Sequence, residues 1–203
     1  MSPRKTVREL GGARAIILHR DHATVSTLTR QLAAIGLKVT QQWPTLDASA
    51  LGADFIFFDA DLGHDEQFPW ARGASPMPLI ALIGSEAPGR IEWALAAGAD
   101  AQLIKPIGGS GAYSALLVAR ATYDARRALA AEVDSLQHRL NERQTVVRAV
   151  NYLMSNGVDE NTAYEKLRRL AMDWRISFEE AAQRVVAKFT KDGAHDDRRN
   201  HNG

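Results

Sequence analysis

Ala53-Asp54-Phe55-Ile56-Phe57-Phe58-Asp59 decides how the first half of this chain folds. Four consecutive branched or aromatic residues between aspartates read as a strand buried on both faces. A sheet covered by helices on each side produces such unbroken apolar runs, whereas a half-exposed strand alternates. Working outward, residues 15–18 and Leu79–Ile83 are runs of the same kind, Lys38–Gln42 is a weaker strand, and residues 101–104 make a fifth. Between them, residues 24–35 read as a helix with Val25, Leu28, Leu32 and Ile35 on one face and Gly36 at its end. Residues 91–97 form a shorter helix stopped by Gly98, and residues 113–123 begin another. This alternation predicts an α/β domain built on a five-stranded, doubly wound parallel sheet of flavodoxin type, whose ligand sites lie at the carboxyl ends of the strands.

The second half carries no strand signal. Residues 115–154 contain neither proline nor glycine and read as one long helix. Along it Leu129, Val133, Leu136, Leu140, Val147 and Val150 follow four-three spacing, with Arg143 taking one seam position. That is about three heptads, the shortest run that reads as a coiled coil. Leu129, Val133, Leu136 and Leu140 are the expected dimerisation contacts; the alternative is a stripe packed on the chain's own domains. Two shorter helices follow. Residues 159–174 place Ala163, Tyr164, Leu167, Leu170 and Ala171 at helical spacing, and Ser177-Phe178-Glu179-Glu180 opens the last helix as a capping box before Ala181, Ala182, Val185 and Val186. Alanines at contact positions let helices approach closely. The expected organisation is 1–118 for the α/β domain, 119–142 for a coiled-coil linker, 143–190 for an all-α three-helix domain, and 191–203 for a disordered tail.

Composition sets the outer limits. The chain has 203 residues, a formal net charge of +1 and no cysteine. Disulfides, thiol catalysis and cysteine-ligated zinc are therefore excluded, and any basic surface must be local. No apolar run approaches the roughly 20 residues needed to span a bilayer. The first twelve residues lack a signal-peptide pattern, so a cytoplasmic protein without membrane contact is expected. There is no Gly-rich phosphate loop, no metal-ligand spacing and no nucleophile beside a base, so no enzyme activity, cofactor or metal is expected.

The first half resembles the receiver domain of response regulators. That resemblance makes Asp59 the equivalent of the phosphoryl-accepting aspartate, and Lys105-Pro106 matches the Lys-Pro pair after the fifth strand. The acidic pair that holds Mg²⁺ in receivers reads His19-Arg20 here, and Ile83 stands where a Ser or Thr is usual. The expectation is a pseudo-receiver, with Arg20 filling the metal's place and Asp59 paired to Arg20 or Lys105. The alternative is a phosphorylation-gated regulator using Asp59.

The second half resembles the ANTAR domain, an RNA-binding module of transcription antiterminators. The resemblance runs through Arg148-Ala149-Val150-Asn151-Tyr152-Leu153-Met154, then Ala163-Tyr164-Glu165-Lys166-Leu167-Arg168-Arg169-Leu170-Ala171-Met172, then Ala181-Ala182-Gln183-Arg184-Val185-Val186. Members often carry Lys-Gly where this chain has Val150-Asn151. RNA recognition calls for cations on phosphates and flat side chains on bases. The candidates are Arg148, Tyr152, Lys166, Arg168, Arg169, Trp174 and Arg175. The combined architecture, with Leu32-Ala33-Ala34-Ile35-Gly36-Leu37-Lys38-Val39-Thr40-Gln41-Gln42-Trp43-Pro44, is similar to the amidase-regulator family. It implies a homodimer that binds a leader-transcript hairpin and is sequestered by a ligand-sensing protein of periplasmic-binding fold.

Overall fold

The structure, a computed structural model, describes residues 10–155 and 157–196. It divides into two compact units, with the boundary between Ala128 and Leu129.

In the first unit the strands are β1 (Arg14–Leu18), β2 (Lys38–Gln42), β3 (Phe55–Asp59), β4 (Leu79–Ile83) and β5 (Ala99–Ile104). They form one sheet in the order β2-β1-β3-β4-β5, every neighbouring pair parallel. The expected flavodoxin-type sheet is therefore present. One face is covered by α1 (Ala23–Ile35) and the start of α3 (Ala112–Met154), which bury Val25, Leu28, Leu32, Ala115, Leu116 and Ala119 against Ile17, Phe55, Phe57, Ile80 and Leu82. Gly36 closes α1 in the left-handed region at φ 99°, where a side chain would be strained.

The opposite face is covered less by helix. Among the described residues only α2 (Pro88–Ala97) packs there as an α-helix, and short 3₁₀ turns at Ala48–Gly52 and Asp65–Gln67 stand in the other two crossovers. Aromatic rings supply the cover that helices do not. Phe58 meets Phe68 edge-on at 5.5 Å, and Phe68 stacks on Trp70 at 5.6 Å. At roughly 25 cal/mol per Å² of apolar surface, such large side chains can replace the burial that a helix would give.

The second unit joins the end of α3 to α4 (Glu160–Trp174) and α5 (Phe178–Asp196). Its core is unusually rich in small residues: Ala149, Ala163, Ala171, Ala181 and Ala182 are buried with Val146, Val150, Leu167 and Val185. Asp159 caps α4, accepting from the Thr162 amide at 3.0 Å. The capping box of α5 is reciprocal: Ser177 N–H donates to Glu180 Oε2 at 3.0 Å and Glu180 N–H to Ser177 Oγ at 3.1 Å. Helix α5 continues to Asp196, past residue 190 where a disordered tail was expected. No proline interrupts it, and its one interior glycine in that stretch costs only about 1 kcal/mol. The rest of the expected tail, 197–203, lies outside the described residues.

Candidate functional sites: an acidic pocket and a helical surface

Asp59 ends β3 at the carboxyl edge of the sheet, with 2% of its surface exposed. Its Oδ1 accepts from Lys105 Nζ at 2.8 Å and from the Asp61 amide at 3.0 Å. Lys105 follows β5, and its ammonium also meets Asp61 Oδ2 at 2.7 Å. Asp61 is anchored from the end of β4 as well, accepting from the amides of Gly84 at 2.9 Å and Ser85 at 3.0 Å. One lysine thus bridges two carboxylates. Burial alone would raise the Asp61 carboxyl, but Lys105 and the two amides outweigh it and hold the pKa below the ordinary aspartate value. Burial alone would lower the Lys105 ammonium, but its bonds to Asp59 and Asp61 hold it above the ordinary lysine value. Gly84 is required here, because a Cβ on it would stand 2.6 Å from Asp61 Oδ2.

Arg20 does not fill this pocket. Its side chain is exposed and makes no ion pair among the described residues. His19 is the buried neighbour instead. Its Nδ1 lies 2.7 Å from the Arg20 carbonyl oxygen, and its Nε2 lies 3.3 Å from Asp59 Oδ2 without hydrogen-bond geometry. Successive residues of an extended segment point to opposite sides, so turning His19 inward turns Arg20 out. Sequence reasoning missed Asp61 and misassigned Arg20. The acidic Asp59-x-Asp61 spacing was the available signal.

The helical unit turns its cations outward. Lys166, Arg168 and Arg169 on α4 are exposed, as are Arg148 on α3 and Arg175, the C-cap of α4. Tyr152 is half-buried. Trp174 is exposed along part of its ring, with the Arg184 guanidinium over it at 5.6 Å. Arg168 and Arg175 come together on one cleft of about 350 Å³, whereas Lys166 and Arg169 do not line it. The seam residues Leu129, Val133, Leu136 and Leu140 are all exposed in the single chain, and Val147 with them. Val150 is buried in the alanine-rich core.

Comparison with known proteins joins these two halves. The model of the AmiR N-terminal family matches residues 13–120, more than half of the chain. The chain belongs to the AmiR family. The ANTAR domain model matches residues 134–186, which contain the whole alanine-rich core. The transcriptional regulatory protein PdtaR of Mycobacterium tuberculosis, in strains CDC 1551 and H37Rv, is 33% identical over 110 residues. The chain spans about half the length of these curated relatives, and the match covers 54% of each protein. Among solved structures, ShkA Rec1 in complex with c-di-GMP is 26% identical, with a TM-score of 0.41 over 55% of this chain and 92% of that one. Full-length FixJ from B. japonicum is 17% identical, with a TM-score of 0.44 over 87% and 98%.

The pocket of this AmiR-family chain does not fit the divalent cation of receiver domains. His19 stands where the resemblance to receivers calls for a carboxylate, and an imidazole there removes an oxygen ligand that a hard cation needs. Among the described residues no group of three His, Asp or Glu could hold a metal ion. No described helix is long and apolar enough to cross a membrane.

Proposed function

We propose that this chain is an RNA-binding transcription antitermination regulator whose pseudo-receiver acts through protein contacts rather than phosphorylation. The observation that carries the reading is the ANTAR match laid on three helices whose middle member turns every one of its cations to solvent. Long-range attraction for phosphates then comes from that surface, since the chain as a whole is nearly neutral. A homodimer formed through Leu129, Val133, Leu136 and Leu140 presents two such surfaces. His19 in place of an acidic metal ligand supports a pocket unsuited to phosphoryl transfer: without a bound cation, Lys105 alone faces the charge of the Asp59 carboxylate and an incoming phosphoryl group. Sequestration by a ligand-sensing protein of periplasmic-binding fold is supported by the AmiR-family membership alone. No catalytic role is assigned to any residue.

The test uses the full chain. Fluorescence anisotropy against stem-loop RNAs of randomised loop sequence is expected to show binding that weakens steeply with salt. Acetyl phosphate with Mg²⁺ is expected to change neither the intact mass nor that affinity. Stoichiometric phosphorylation of Asp59 that shifts RNA binding would return the pocket to an ordinary receiver role, and salt-insensitive or absent binding to every stem-loop would remove the RNA reading.

A further inference from the structure

Tyr164 and Phe178 form a stacked ring pair in the helical unit. Tyr164 leaves α4 with 44% of its surface exposed, so it is not a core residue. Its ring lies nearly parallel to that of Phe178 at the start of α5, 19° apart with centroids at 5.6 Å. That offset leaves part of each ring face uncovered. Both rings line the 350 Å³ cleft, together with Arg168, Met172, Arg175 and Ile176. Tyr164, Arg168 and Met172 recur every four residues along one face of α4, and Arg175 follows as its C-cap.

We infer that this cleft receives a single unstacked base from an RNA loop, with Arg168 and Arg175 on the flanking phosphates. The inference rests on the RNA-binding reading and deepens it. Three observations carry it. Ligand sites start at roughly 300 Å³, so the cleft has the capacity of one flat group and not of a duplex. It is lined by two rings, three apolar side chains and two arginines, and among the described residues no carboxylate lines it. Bases stack on rings while guanidinium groups bind phosphate oxygens, which is the division this cleft presents. The neighbouring cleft of about 460 Å³ shares the ring pair, but its two arginines, Arg139 and Arg143, are matched by two carboxylates, Glu142 and Glu179, and its Val147 belongs to the exposed seam of α3. It is therefore less suited to an anion.

Arg175 adds a backbone argument. It caps α4 at φ 55°, a left-handed conformation that glycine adopts at no cost. Arg175 nonetheless lines the cleft from that position.

The experiment starts from stem-loop RNAs selected on the wild-type full chain from a pool with randomised loops, with matched loopless duplexes as controls. Each loop base is then replaced in turn by an abasic residue. One position is expected to weaken wild-type binding roughly ten-fold or more. Tyr164→Ala is expected to lose as much, Tyr164→Phe to retain binding, and Tyr164→Ala to lose nothing further on the abasic RNA. Arg168→Ala is expected to lower the salt dependence by about one phosphate contact. The abasic series needs no altered protein, so a misfolded variant cannot mask the result. Tight, loop-dependent binding in which no abasic substitution couples to Tyr164 overturns the inference and leaves RNA binding intact. Equal affinity for loops and loopless duplexes also overturns it. Absence of binding to every RNA overturns both.

Discussion

Lys105 decides the chemistry of the acidic pocket. Replacing it by methionine keeps the stem and strands the Asp59 carboxylate, which is 2% exposed. Removing one partner of a buried ion pair costs about 3–5 kcal/mol. The lower end of that range is expected for Lys105→Met, because 15% of the lysine side chain still meets water. Urea denaturation read by amide exchange in β3 and β4 measures it. The pH dependence has a definite sign. Asp61 is held below its ordinary value, so its share of the stability is present above the ordinary aspartate range and lost as pH falls through the folded value. Lys105 is held above its ordinary value, so its share is present below that value and lost as pH rises through the folded one. In Lys105→Met both slopes flatten; an unchanged acid limb would mean that the lysine does not hold Asp61. Asp59 and Lys105 were legible because each closes a recognisable strand. Asp61 and His19 were not, since their roles depend on the Gly84 and Ser85 amides and on which way β1 turns at its end.

At the scale of elements, continuous apolar runs made the strands readable, and β2 and β4 fall on the expected residues. The crossovers after β2 and β3 were not readable. Their cover comes from Phe68 and Trp70, loop side chains without helical or strand period, with Trp93 of α2 packed against Phe68. The alanine-rich helices were legible through spacing and the capping box. Arg175 was legible as a cation but not as a left-handed C-cap, because arginine gives no such signal. Arg175→Gly is expected to stabilise the helical unit by about 1 kcal/mol, from relief of the left-handed arginine, while weakening RNA binding. Thermal melts beside anisotropy titrations separate the two effects, and a simultaneous loss of both would contradict the assignment. Val133→Glu with Leu136→Glu puts charges on the exposed seam, and light scattering is expected to show a monomer.

For the whole molecule, α3 is the one element among the described residues that contributes to both cores. Ala115, Leu116 and Ala119 belong to the sheet's covering layer, and Val146, Ala149 and Val150 to the helical core. The doubled seam variant is therefore expected to leave each core folded and to affect only the pairing of chains. Its affinity for a single stem-loop should be nearly that of wild type. Its affinity for an RNA with two adjacent stem-loops should fall by roughly 10²- to 10⁴-fold, since the second contact is no longer intramolecular. Equal losses on both RNAs would place the damage in the binding surface instead.

The histidine that stands beside Asp59 in place of a carboxylate has a consequence for how such a regulator spends energy. An ordinary receiver is driven away from equilibrium by ATP, and the covalent mark outlives the stimulus. Under the proposed function Asp59 takes no phosphoryl group, and such a domain can be moved only by what binds it, in proportion to that ligand's preference for one state. On this reading the switch runs without fuel and keeps no memory, and its response ends as soon as its partner returns.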